Sequence, residues 1–180
     1  MKIIHTALPD VKIIELDVFK DSRGLFLESY NQKTFSEILG IHEQFLQDNH
    51  SQSMKNVLRG LHYQIQHPQG KLVRVVSGEA YDVAVDLRKN SSTFGQWVGM
   101  HLKSEEHKIA WIPKGFAHGF LSLADNTTLL YKATDFYDPS SECCLRWDDP
   151  DLGIAWPIEG EPILSLKDRQ GKTFKEAVTF

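Results

Sequence analysis

The chain has 180 residues, of which 41% are apolar, 24% charged and 11% aromatic, the balance of a soluble globular protein and a length that suits one domain. Its net charge of −4 lacks the basic excess of a nucleic-acid binder, although a local basic pocket for a small phosphorylated ligand is compatible with it. The two cysteines, Cys143 and Cys144, are neighbours, which offers neither a spaced zinc pair nor a disulfide framework and fits a reducing cytoplasm. The N-terminal stretch does not read as a signal peptide, and no apolar run approaches the ~18 residues of a membrane span.

In chain order, residues 12–18 form a first β-rich segment. A helix follows: Thr34-Phe35-Ser36-Glu37 has capping-box spacing and Gly40 is a stop. The remainder reads mostly as strands. Residues 72–76 are a short β-branched run. Residues 80–88 alternate, with Tyr81, Val83, Val85 and Leu87 on one side and Ala80, Asp82, Ala84 and Asp86 on the other. Residues 109–112, 116–123 and 127–134 are further strands, separated by the turn signals Ser77-Gly78, Pro113-Lys114-Gly115 and Asp125-Asn126. Short strands at close spacing with little helix predict a sandwich or barrel. From Trp147 the tail is rich in Asp, Pro and Gly, and predicts loops and short helical turns packed on the same domain through Trp147, Ile154 and Trp156.

Two segments carry candidate chemistry, Arg59-Gly60-Leu61-His62-Tyr63-Gln64 and Pro113-Lys114-Gly115-Phe116-Ala117-His118. Together they resemble the two motifs of the cupin superfamily, which implies a mainly β, cupin-type jelly-roll barrel with a few short helices. The second motif, P-x-G-x-x-H, is complete. In the first, His62 is kept, but Gln64 stands at the second histidine position and Lys71 at the glutamate position. An ammonium there repels a cation, and two imidazoles alone hold a divalent ion poorly. We therefore expect no catalytic metal. A cavity with one ammonium and two imidazoles suits an anion or a developing oxyanion instead.

The resemblance tightens over longer runs. Arg23-Gly24, Phe26 and Glu28, Gln47-Asp48-Asn49-His50-Ser51, residues 57–64 and 70–75, Asp82-Val83-Ala84-Val85-Asp86, residues 111–120 and Leu164-Ser165-Leu166-Lys167-Asp168 are similar to the dTDP-4-dehydrorhamnose 3,5-epimerase family. The likeness extends over residues 21–168. It implies an isomerase acting on dTDP-4-dehydro-6-deoxyglucose, inverting the carbons on both sides of the 4-keto group without redox cofactor or metal. By resemblance, His62 is the base, Asp168 its carboxylate partner, Tyr131 the acid on the opposite face and Lys71 the cation at the keto oxygen. Imidazole accepts protons near neutral pH, a phenol is protonated there, and a carboxylate fixes the tautomer of its histidine. Arg23 and Arg59 match diphosphate contacts, for which guanidinium forks are suited. Gln47 and Asn49 match base or sugar contacts, Tyr137 a ring stacked on thymine, and Glu28, His118, Glu142 and Lys167 further binding positions. The family also implies a homodimer with exchanged strands, for which residues 12–18 are the candidate. Three alternatives stay open: a single-site epimerase or ketoisomerase on the same scaffold, a non-catalytic sugar-nucleotide-binding cupin, and a metal-dependent cupin, which Gln64 and Lys71 argue against. The role of Asp82 is undetermined.

Overall fold

The structure, a computed structural model, describes residues 1–40 and 42–180. The strands of the N-terminal half are β1 (Lys2–His5), β2 (Lys12–Glu15), β3 (Phe19–Asp21), β4 (Gly24–Phe26), β5 (Gln47–Ser53), β6 (Leu58–Gln64), β7 (Lys71–Ser77) and β8 (Glu79–Asp86). They are followed by β9 (Trp97–Lys103), β10 (Lys108–Ile112), β11 (Phe116–Ser122), β12 (Thr127–Ala133) and β13 (Glu142–Cys144). Two α-helices, α1 (Gln32–Leu39) and α2 (Leu166–Arg169), and two single-turn 3-10 helices, Ser104–Glu106 and Phe174–Glu176, complete the described elements.

Strands β1-β2-β10-β7-β12-β5 form one sheet and β13-β6-β11-β8-β9 a second, every pairing within them antiparallel. The chain crosses repeatedly between the sheets, so the fold is mainly β with jelly-roll-like sheets and short helices, as the sequence implies. Between the sheets lies a core of Val73, Val75, Ala80, Ala84, Val98, Met100, Ala110, Ile112, Phe116, Phe120 and Leu129.

Both sheets are also covered on their outer faces. Phe35 of α1 packs with Ile14, Leu72, Ile109 and Trp111 over the larger sheet. The tail from Leu152 to Phe180 lays Leu152, Ile154, Trp156, Phe174 and Phe180 over Leu61, Tyr63, Val83, Val85 and Ala117 of the smaller one. This double cover explains strand β8. Its bulky side, Tyr81, Val83 and Val85, faces the tail, and its small and acidic side faces the inter-sheet core. A period of two identifies a strand but does not say which covered face is the interior.

Two local expectations change. The helix is capped by Asn31, whose side chain accepts from the Lys33 and Thr34 amides, not by Thr34; Gly40 ends it in the left-handed conformation as read. Residues Lys12–Glu15 are paired on one side with β1 and on the other with β10 of the same chain, so this segment has no free edge to lend. The hairpin of β3 and β4 belongs to neither sheet, and it leaves Phe19, Leu25 and Phe26 exposed at 64%, 52% and 70%.

Candidate active site

The inward face of β6 carries His62, and β11 sets His118 opposite it in register. The close approach of these strands is built on glycine. A Cβ on Gly60 would stand 2.6 Å from the His118 carbonyl oxygen, and one on Gly119 2.6 Å from the Arg59 carbonyl oxygen. Gly60, at φ +103°, also turns its amide to donate to Asp168 Oδ1 at 3.2 Å.

Asp168 comes from α2, far along the chain. Its Oδ1 lies 2.6 Å from His62 Nε2, while Ser165, the N-cap of α2, donates to its Oδ2 at 2.7 Å. Burial works against this charge, but the bonds from His62 and Ser165 outweigh it and hold the carboxyl below its ordinary range. With Nε2–H donated to Asp168, the lone pair of His62 is on Nδ1, the tautomer a base requires.

The larger sheet supplies the opposing groups. Tyr131 on β12 pairs in register with Val73 on one side and Asn49 of β5 on the other. Burial, reinforced by the Glu142 charge, raises its phenol above the ordinary range, so it carries its proton. Lys71 opens β7. Burial lowers its ammonium to about 8, against the opposing pull of Asp82 and Glu142. Arg59, His62, Lys71, His118, Tyr131, Lys167 and Asp168 line one cavity of about 300 Å³, completed by Ser51, Gly119, Phe120, Leu129 and Ser165.

At the rim a network joins residues that are distant in sequence. Gln47 donates to Asn49 at 2.8 Å and accepts from the Tyr137 amide at 2.8 Å. The Tyr137 hydroxyl donates to Glu142 at 2.7 Å, and the Lys167 ammonium pairs with the same carboxylate. Burial disfavours the Glu142 charge, yet Lys167 and Tyr137 outweigh it and its carboxyl is lowered. The Tyr137 ring remains 52% exposed, an open face for stacking. Arg59 is oriented by bonds from Nε to Ser53 Oγ and from its fork to the Gln52 carbonyl.

Arg23 and Glu28 are not brought to this cavity. Arg23 is at the tip of the β3–β4 hairpin, 87% exposed at its side chain, and its fork pairs with Asp21. Glu28 accepts from Asn31 beside α1. Two further groups escaped assignment from sequence. Asp82, fully buried on β8, accepts from His118 Nε2 at 2.8 Å, and its Oδ1 has no partner among the described residues. The signal was its place on the acidic side of an alternating strand. Cys144 lies across from His62 in the β13–β6 register, with Sγ 3.9 Å from Asp168 Oδ1; no motif marked it.

The metal set of a cupin does not fit here. Gln64 spends its amide on the His67 and Phe136 carbonyls and the Asp138 amide, and Lys71 brings a positive charge where a carboxylate ligand would stand. What the cavity offers is the imidazole of His62, a phenol from the facing sheet at Tyr131 and the ammonium of Lys71.

The sequence model of the dTDP-4-dehydrorhamnose 3,5-epimerase family matches residues 5–176. The dTDP-4-dehydrorhamnose 3,5-epimerase of Pseudomonas aeruginosa is 56% identical over 180 residues, covering 100% of this chain and 99% of that protein. The enzyme of the same name from Salmonella typhimurium is 54% identical over 179 residues, covering 99% and 98%. Among solved structures, the 3,5-epimerase of Legionella pneumophila in complex with dTDP-4-keto-L-rhamnose superposes with a TM-score of 0.95 at 50% identity, covering 97% of this chain and 93% of that one. Long matched runs, a shared fold and near-complete mutual coverage agree: the chain belongs to the dTDP-4-dehydrorhamnose 3,5-epimerase family.

Proposed function

We propose that this protein inverts C3 and C5 of dTDP-4-dehydro-6-deoxyglucose to give dTDP-4-dehydrorhamnose, a step in dTDP-rhamnose biosynthesis. The observation that carries the residue assignments is the opposition of His62, backed by Asp168, to Tyr131 across a cavity that also contains Lys71.

A proton beside a ketone is acidic because the enolate spreads the resulting charge onto oxygen. His62 Nδ1 takes that proton, and the imidazolium so formed is stabilised by Asp168. The charge that develops on the 4-oxygen is met by the Lys71 ammonium. Tyr131 returns a proton to the opposite face of the carbon; solvent then takes the proton from the His62 imidazolium and returns one to the Tyr131 phenolate, which resets both groups. A second cycle at the other flanking carbon completes the reaction. The base takes one proton and the acid gives one, so no redox equivalent is consumed. On the cavity wall, Arg59 suits the diphosphate, and Lys167 there, with Gln47, Asn49, Tyr137 and Glu142 in the network it joins, suits the remainder of the nucleotide sugar.

The working form in this reading is a homodimer. The exposed rings of the β3–β4 hairpin need cover, and a second copy that covers them carries Arg23 to a neighbouring cavity, which its own chain does not do. Adjacent free thiols at Cys143 and Cys144 suit the cytoplasm as its compartment.

The reading is tested by turnover of the dTDP-keto sugar in heavy water. Deuterium enters at both carbons with the wild type. Tyr131→Phe keeps exchange and loses inversion, and His62→Ala loses both by ~10²–10⁴-fold. Wild-type exchange at one carbon alone would instead identify a single-site epimerase, and undiminished turnover in His62→Ala would sink the assignment of the base.

A further inference from the structure

Behind the base lies a group of side chains that the epimerisation does not use as a set. His62, Cys144 and Asp168 each offer one ligand atom, a ring nitrogen, the Sγ and a carboxylate oxygen, and these lie within 4.8 Å of one another. Two of the separations are 2.6 Å for histidine to carboxylate and 3.9 Å for thiol to carboxylate. The three come from different parts of the chain, and the β13–β6 register, which sets Cys144 opposite His62, holds two of them. Nitrogen, carboxylate oxygen and sulfur on three corners are the donor set of a tetrahedral zinc centre with one open position. Bond lengths near 2.0–2.3 Å require donor atoms roughly 3.3–3.8 Å apart, so the histidine–carboxylate contact needs to open by only about 1 Å.

We propose that a thiophilic divalent cation, zinc above all, binds these three atoms and switches the enzyme off. This site is separate from the cupin metal set: of the positions forming that set, it uses His62 alone. On binding, the Cys144 thiol proton leaves to solvent and the thiolate and carboxylate neutralise the ion, so the protein buries no net charge. Zinc takes the Nε2 lone pair, and the imidazole proton moves to Nδ1. That proton occupies the position from which the base acts. The nucleotide-binding groups at the mouth are untouched, so turnover falls while substrate affinity is kept.

The inhibition rests on the reading of His62 as the base, whereas metal binding does not, and the experiment separates them. Cobalt(II) is titrated into the metal-free protein and the thiolate-to-metal charge-transfer absorption is followed; zinc is then titrated into the turnover assay. The wild type and Cys143→Ser are expected to bind one cobalt with that absorption, and zinc to lower kcat with KM unchanged. Cys144→Ser, scored against its own zinc-free turnover, should lose the absorption and require ~10–100-fold more zinc for the same fractional inhibition, at least the loss that removing an outer-sphere partner causes. His62→Asn should lose the cobalt site irrespective of catalysis. Equal zinc sensitivity in the wild type and Cys144→Ser overturns the proposal, as does thiolate absorption that survives in Cys144→Ser. Cobalt bound with full thiolate absorption and unchanged turnover overturns the switch and leaves a silent site.

Discussion

Strand β8 carries two fully buried carboxylates four residues apart on the same face, Asp82 and Asp86, and they differ in how completely they are satisfied. Asp86 accepts five hydrogen bonds, from the backbone, Nε and terminal nitrogen of Arg88 and from the hydroxyls of Ser91 and Thr93. Arg88 is in turn fixed by Asp10 at 2.8 Å and lies 4.6 Å over the Phe116 ring. Asp82 accepts from His118 alone among these groups and leaves one oxygen unpartnered, beside the cavity of His118 and Lys71. A saturated carboxylate locks a loop; an unsaturated one keeps field for neighbouring cations. One end of the strand anchors a loop and the other borders the cavity with an oxygen unpartnered among the described residues.

The strongest test of this contrast is Asp86→Asn, which leaves the Arg88 cation without its carboxylate. It should cost about 3 kcal/mol of unfolding free energy in denaturant titration, with kcat unchanged in the folded fraction. Asp82→Asn should do the reverse: kcat lower by ~10²-fold with KM nearly kept, because the His118 orientation and the field at Lys71 are lost, and little change in midpoint. If the two variants behave alike, the division of the strand is wrong.

Lys71 sharpens the same point. Its ammonium is lowered to about 8 by burial, so relative to the unfolded chain its charge opposes folding below that pH, and the penalty fades as pH rises through about 8 toward the ordinary lysine value. Lys71→Met should therefore be inactive yet more stable at neutral pH, by ~1–3 kcal/mol. In the wild type, kcat should fall as pH rises through about 8, where the oxyanion loses its counter-charge, and Lys71→Arg should move that limb upward. The smallest effect concerns acid. The Asp86 carboxyl is lowered to about 2, burial being outweighed by Arg88, Ser91 and Thr93. Its contribution, about 2 kcal/mol, is complete above the ordinary aspartate range and is lost as pH falls through about 2. Acid unfolding of Asp86→Asn should lack that component.

Much of the fold was legible because five central strands, β7, β8, β10, β11 and β12, are short β-branched or aromatic runs ended by glycine, proline and asparagine turns. The strands that escaped notice have physical reasons. Strand β5 reads Gln-Asp-Asn-His-Ser-Gln-Ser, without an apolar residue, because it is a sheet edge whose outward side chains Asp48, His50 and Gln52 are exposed. Strand β9 is continuous and buries Val98, Met100 and Leu102, but the alternate positions carry Gly99, where a Cβ would stand 1.9 Å from the Tyr81 hydroxyl, and the polar His101 and Lys103. Strand β13 has three residues and exists through its pairing with β6. Of the candidate site, His62, Lys71, His118, Tyr131, Lys167, Asp168 and Arg59 converge on one cavity, while Arg23 and Glu28 do not: Arg23 is on a hairpin outside both sheets, and Glu28 is beside α1, where Leu27 and Tyr30 pack over the larger sheet.

The amino-acid sequence by itself determined the strand-rich class, the replacement of a metal ligand by Lys71 and the family, since these depend on residue type and order along long runs. Tertiary structure alone decided the rest. Only the packed sheets put the tail behind β8 and turn its acidic side inward. Only the return of α2 sets Asp168 on Nε2 of His62, and only the β13–β6 register sets Cys144 behind that pair. Each of these contacts joins segments tens of residues apart, and their meeting depends on how two sheets and a tail bury their apolar faces, which no local pattern encodes.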